Sequence, residues 1–112
     1  MPKYMLLLYD DPTGWQTLSP EEMQKGLEKY MAWTKKSFVV DSKRLAEDAG
    51  RVIRSDRGKP RTVDGPYSET KEILTGYYTI EAASYEEAVQ RSLDHPHLEH
   101  GGTMEIRQVW GT

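Results

Sequence analysis

The chain has no cysteine among its 112 residues. A disulfide framework, a thiol nucleophile and a thiolate metal site are thereby excluded. Long hydrophobic runs are missing as well: the apolar stretch Lys3–Tyr9 is too short for a signal-peptide core or a membrane-spanning helix. Positive charge is not in surplus. The 15 basic residues stand against 18 acidic ones, a formal charge of −3, which offers nucleic acid no electrostatic footprint. Gly101-Gly102 is not a phosphate loop, because the remaining glycines of such a motif are absent and a strand, not a helix, follows. These absences lead to the expectation of one cytoplasmic domain over residues 1–112. No cofactor or metal is expected, and neither nucleic acid nor membrane is expected as a partner.

What the chain does contain is 7 tyrosines and 3 tryptophans, enough large apolar surface to argue against disorder. Over Lys3–Tyr9, Tyr4, Leu6 and Leu8 alternate with Met5, Leu7 and Tyr9; a strand apolar on both faces is one covered on both sides. Asp10-Asp11-Pro12-Thr13-Gly14 reads as a loop, with Trp15 either folded onto the core or touching a ligand. Ser19-Pro20-Glu21-Glu22 is a helix start with a serine cap, a proline in the first turn and a glutamate three residues after the cap. Met23, Leu27, Tyr30 and Met31 then repeat at helical spacing, which predicts a buried stripe on a helix running to about Ser37, with Trp33 at its edge. Phe38-Val39-Val40 is either the helix tail or the start of a strand; so short a run does not decide.

Gly50–Ser55 and Pro60–Val63 flank Asp56-Arg57-Gly58-Lys59 and predict a peripheral hairpin. Asp64-Gly65-Pro66 closes a strand, Ser68 offers a cap to one helical turn carrying Glu69, Lys71 and Glu72, and Gly76–Ala82 restarts the chain as a strand. Ser84-Tyr85-Glu86-Glu87 repeats the capping signature, with Tyr85, Ala88, Val89 and Leu93 turned inward and His95-Pro96 as the stop. Thr103–Trp110 predicts a last strand with Met104, Ile106 and Trp110 on one face and Glu105, Arg107 and Val109 on the other. This order predicts an α+β domain of ferredoxin-like βαββαβ type with a peripheral hairpin. Both helices cover one sheet face. The other face, with Tyr77, Thr79, Glu105 and Arg107, has no cover within the chain. A second copy is the expected cover, giving a homodimer with a cavity between the sheets.

Asp64-Gly65-Pro66-Tyr67, followed by Glu69-Thr70-Lys71-Glu72 and Gly76-Tyr77-Tyr78, resembles the signature of the YCII-related family in its DGPF-domain branch. Tyr67 stands where that signature carries phenylalanine. The opening Lys3–Tyr9, the Ser19–Met23 helix start and the Gly101–Arg107 ending are also similar, so the resemblance covers nearly the whole chain and is weakest over residues 38–60. It implies a ferredoxin-like fold assembled as a dimeric α+β barrel, and a family without an established reaction. A His/Asp pair with its histidine on the first helix has been suggested for the YCII branch. Residues 20–37 here hold no histidine, so that pair does not carry over whole. Some DGPF-type domains are associated with sigma factors of the extracytoplasmic-function class, which implies regulation as an alternative role.

The residues themselves offer a short set of candidates. Asp64 is either a general base, given burial or a like-charged neighbour, or a carboxylate capping turn amides. His95, His97 and His100 are all the histidines present and fall within six residues; imidazole suits proton transfer near neutral pH and zinc ligation, yet the helical zinc spacing is absent and structural roles stay open. Glu105 and Arg107 share one strand face, where Arg107 can clamp a carboxylate, or the two form ion pairs that fix dimer register. Asp64, His95 and His97 are therefore the candidate catalytic residues. Tyr9, Tyr67, Tyr77, His100, Glu105 and Arg107 are the candidate contacts to a small ligand, anionic where Arg107 clamps it, in a cleft bounded by the Asp64–Tyr67 corner, the histidine loop and the last strand. Two roles compete: a small acid–base enzyme, or a non-catalytic dimeric module for a ligand or a regulatory partner.

Overall fold

A computed structural model describes residues 1–11, 13–65 and 72–111, without the side chains of Trp15 and Gln16. Strand β1, Lys3–Asp10, is the axis of the molecule: it pairs antiparallel with β5, Ile73–Glu81, on one side and with β6, Thr103–Gln108, on the other. Strand β2, Val39–Arg44, pairs antiparallel with β5 and completes a four-stranded sheet of order β2-β5-β1-β6. The undecided Phe38-Val39-Val40 run is thus the start of a strand. Its weak apolar signal follows from its place, since an edge strand needs no two-sided burial and gains from charged side chains.

The short helix α1 spans Thr13–Gln16, within the predicted loop and up to Trp15 and Gln16; Pro12 and the Trp15 side chain lie outside the described residues. Helix α2, Pro20–Trp33, begins with the predicted capping box: Glu22 N–H donates to the Ser19 hydroxyl at 3.1 Å and Ser19 N–H to the Glu22 carboxylate at 3.2 Å. It stops earlier than Ser37. At Thr34 the chain leaves through tight turns, Thr34 N–H to Met31 O and Lys35 N–H to Ala32 O, both at 3.1 Å. The buried stripe is also rotated from the expected one. Gly26 and Trp33 are buried, whereas Met31 is 68% exposed, because its side of the helix overhangs a cavity rather than the sheet.

Helix α3, Tyr85–Ser92, carries the second cap, Glu87 N–H to the Ser84 hydroxyl. Its expected inward set holds only for Ala88; Ala88 and Ser92 are buried, while Tyr85, Val89 and Leu93 are exposed. Small residues bring this helix close to the sheet, and Tyr85 lies across β6 instead, its hydroxyl accepting from Gln108 N–H at 2.8 Å and its ring meeting Tyr4 edge-on. A 3-10 turn, Pro96–His100, leads into β6. That strand ends at Gln108, so Trp110 shares no sheet face and is fully exposed.

The core lies between sheet and helices: Tyr4, Leu6, Leu8, Tyr78 and Ile80 from the strands meet Trp33 and Ala88. Burial of a Leu or Ile side chain as complete as that of Leu6 and Ile80 stabilises by roughly 2 kcal/mol. The other face of the sheet carries Met5, Leu7, Tyr77 and Thr79, only half-buried. The predicted hairpin forms its own two-stranded sheet, β3 Arg51–Asp56 and β4 Lys59–Asp64, turning at Arg57-Gly58. Gly65 N–H donates to Gly50 O at 3.2 Å and closes its base. The turn expected over Ser68, Glu69 and Lys71 falls outside the described residues, as does Tyr67. No helix among the described residues is long and apolar enough to cross a membrane.

Candidate ligand site

His95 and His97 are buried to 1% and 2% exposure, under α2. Pro96 starts the 3-10 turn, and His95 caps it: its Nδ1 accepts from His97 N–H at 3.0 Å. The His95 ring then lies among Trp33 and Tyr78, each with its ring centroid 4.5 Å away. Its Nε2 is a buried side-chain atom with no hydrogen-bond partner among the described residues. Burial, reinforced by His97 and opposed by Asp94, lowers the His95 pKa to about 4, so the ring is neutral at neutral pH. Asp94 itself is held below the usual carboxyl range by Lys36, at 2.6 Å, and by the Trp33 indole N–H, at 3.0 Å.

His97 is held at both nitrogens. Nε2 lies 2.8 Å from the Tyr9 carbonyl and Nδ1 lies 2.8 Å from the Tyr30 hydroxyl. A carbonyl only accepts, so in the neutral ring Nε2 carries the proton and Nδ1 accepts from Tyr30. Gly102 makes room for this ring: a β-carbon there would stand 2.6 Å from His97 Cδ2. Burial, with the Asp10 carboxylate adding to it, pushes the Tyr30 phenol well above its ordinary pKa, and burial pushes Tyr78 up to about 12. Both phenols stay protonated at neutral pH and act as donors.

Tyr30 and Tyr78 form the inner wall of a cavity of about 310 Å³ between α2, β5 and the segment that follows β2. Leu27, Met31, Leu45, Ile73 and Leu74 make its sides apolar, and Arg44 and Glu47, joined at 2.6 Å, stand on its lining as an ion pair. Gly76 belongs to the floor; a β-carbon there would lie 2.8 Å from Lys43 O, so β2 approaches β5 only because the position is glycine.

The structure does not gather the candidate residues at one rim. Tyr9, Tyr77, Glu105 and Arg107 share the sheet face opposite the helices, with Tyr9 donating to Glu105 and Tyr77 to Asp41, both at 3.3 Å. His95 and His97 lie on the helix side of the same sheet, which separates them from Glu105 and Arg107. Asp64 ends β4 on the separate hairpin, exposed and 3.4 Å from Arg51 rather than beside a histidine. His100 is exposed at the end of the 3-10 turn, and Tyr67 is outside the described residues. Parity along strands predicted the shared face correctly; it says nothing about which side of the sheet a loop histidine takes. Nothing local marks Tyr30, Trp33 and Gly102 as site residues, because an aromatic in a helical stripe and a glycine in a loop read as packing and turn. The pairing of Gly102 with a histidine five residues earlier was the available signal.

With this geometry in place, comparison with known proteins gives two findings. The YCII-related domain matches residues 2–111 of the chain. An uncharacterised protein of Rhizobium meliloti is 30% identical over 96 residues, covering 81% of this chain and 77% of the relative.

Proposed function

We propose, from the premise that the chain belongs to the YCII-related family, that it binds a small and largely apolar molecule in the cavity between α2, β2 and β5. The observation that carries this reading is Tyr30. Its ring lines the cavity while its hydroxyl is fixed by a histidine whose other nitrogen is fixed by backbone. An apolar pocket with a few oriented polar groups is the usual form of a small-molecule site, and a wall whose side chain is already held in place loses little entropy on binding. A module is favoured over an Asp64–His acid–base enzyme, because Asp64 is paired with Arg51 on the hairpin and His95, with its pKa near 4, is a weak base.

The wider setting is part of the same proposal. The strand order β2-β5-β1-β6, with both longer helices on one face, supports a ferredoxin-like subunit. The half-buried Met5, Leu7, Tyr77 and Thr79 on the opposite face support a homodimer joined there as an α+β barrel. The Asp64-Gly65 strand end at the base of the hairpin supports the DGPF branch.

Titration with the apolar fluorophore 1-anilinonaphthalene-8-sulfonate tests the site. The folded protein is expected to bind one dye per chain saturably, and Leu27→Trp, which fills the cavity, is expected to weaken binding at least ~10-fold. Equal binding by the parent and the filled variant, with both folded, would remove the cavity as the site.

A further inference from the structure

The sheet face opposite the helices is apolar along its middle and charged at its corners. Strand register sets Asp41, Thr79, Met5 and Arg107 in one row across the sheet, and Lys43, Tyr77, Leu7 and Glu105 in the next. Residues two apart on a strand are separated by about 7 Å and neighbouring strands by about 4.8 Å, so the four charges mark a rectangle of about 7 by 14 Å. Their signs alternate around it. Asp41 and Lys43 occupy the β2 edge; Glu105 and Arg107 occupy the β6 edge; and each row ends in one acid and one base. Within the chain these pairs are loose, 3.6 Å for Lys43–Asp41 and 4.0 Å for Arg107–Glu105, with side chains 47% to 68% exposed. Pairs of that kind contribute little to the stability of a single subunit.

We propose that the alternating corner charges set the register in which a second copy of the chain seats on this face. The inference rests on the homodimer reading above and adds to it the groups that choose the alignment. A two-fold axis between two such faces, directed along the strands or across them, turns every corner onto one of opposite sign. With the axis along the strands, Asp41 meets Arg107 of the partner subunit and Lys43 meets the partner's Glu105. With the axis across the strands, Asp41 meets the partner's Lys43 and Glu105 meets Arg107 of the partner subunit. Slipping either arrangement by two residues sets like charge against like, so the same four groups that favour the register also penalise its alternatives. An unrelated partner gives no reason for a face to be complementary to itself; an isologous dimer requires it. Met5, Leu7 and the rings of Tyr9 and Tyr77 supply the apolar middle.

Charge exchange followed by sedimentation velocity tests this, with far-ultraviolet circular dichroism confirming the fold of each variant. The parent is expected to be a dimer at tens of micromolar. Glu105→Arg places like charges together under either axis and is expected to raise the dimer dissociation constant at least ~10-fold. Adding Lys43→Glu restores the dimer if the axis runs along the strands, and adding Arg107→Glu restores it if the axis runs across them. Each double change worsens the other arrangement, so one rescue and one failure identify the axis. A monomeric parent would end the homodimer reading itself. A dimeric parent that ignores Glu105→Arg, or that is broken by it and rescued by neither second change, overturns the charge-set register alone.

Discussion

The buried imidazole of His95 ties a single side chain to the pH dependence of the whole domain. Its pKa is about 4 in the folded chain against an ordinary value of 6.5, chiefly through burial. Between those values the unfolded ring binds a proton that the folded ring refuses, so stability falls as pH drops from about 6.5 to about 4. The full effect is on the order of 3 kcal/mol. His95→Asn keeps a side-chain acceptor for His97 N–H while removing the titrating ring. The expected result is a flatter melting temperature between pH 7 and pH 4, followed by circular dichroism; an unchanged slope would assign the pH dependence to other groups. Gly102 makes a second prediction at this scale. Because a β-carbon would intrude on His97 Cδ2 at 2.6 Å, Gly102→Ala must move the ring away from Tyr30 or Tyr9. A loss of about 2–3 kcal/mol in urea unfolding is expected, from overpacking together with hydrogen bonds left unmade.

Among the elements, those with local chemistry at their ends were readable and those defined by neighbours were not. Ser19 and Ser84 marked both helix starts, since a capping side chain bonds amides within its own turn. Ser19→Ala is expected to cost about 1 kcal/mol in thermal or chemical unfolding. The hairpin was readable from its turn, where Arg57 and Gly58 adopt positive φ of 53° and 82°. A two-residue turn of this hand favours Asn-Gly, so Arg57→Asn is expected to slow amide hydrogen exchange across β3 and β4. The main sheet, which does not contain these strands, should exchange as before. The inward face of α3 differs from its sequence pattern for the opposite reason. Large apolar residues at helical spacing pointed to Tyr85, Val89 and Leu93, whereas the sheet admits the small Ala88 and Ser92 at closest approach. Which part of an amphipathic helix touches a sheet depends on the partner's contour, and that is not written in the helix.

The whole molecule is flat, 44 × 42 × 18 Å, with a radius of gyration of 15.8 Å against about 13 Å for a compact chain of this length. One sheet and one helix layer account for the thin dimension, and the separate hairpin broadens the outline. A face-to-face dimer would bury on the order of 2,000 Å² in total and double the layers, so small-angle scattering should return the mass of two chains in a thicker particle. A metal-independent fold stays an expectation of the sequence, whose three histidines have no thiolate partners; among the described residues no cluster of histidine and carboxylate side chains able to hold an ion occurs. Adding a chelator is therefore expected to leave the melting temperature unchanged, and a large fall would show a structural ion.

Neighbouring residues alone set the alternation of β1, both helix caps, the hairpin and the side of the sheet on which Tyr77, Glu105 and Arg107 stand. Each of these follows from bonds or periodicities spanning a few residues. Long-range packing is what sets β2 beside β5, buries His95 and His97 beneath Tyr30 and Trp33, leaves Asp64 on the hairpin with Arg51, and completes the charged corners of Glu105 and Arg107 with Asp41 and Lys43. Those relations join positions tens of residues apart, where no local rule operates. They are set by which surfaces must leave water together.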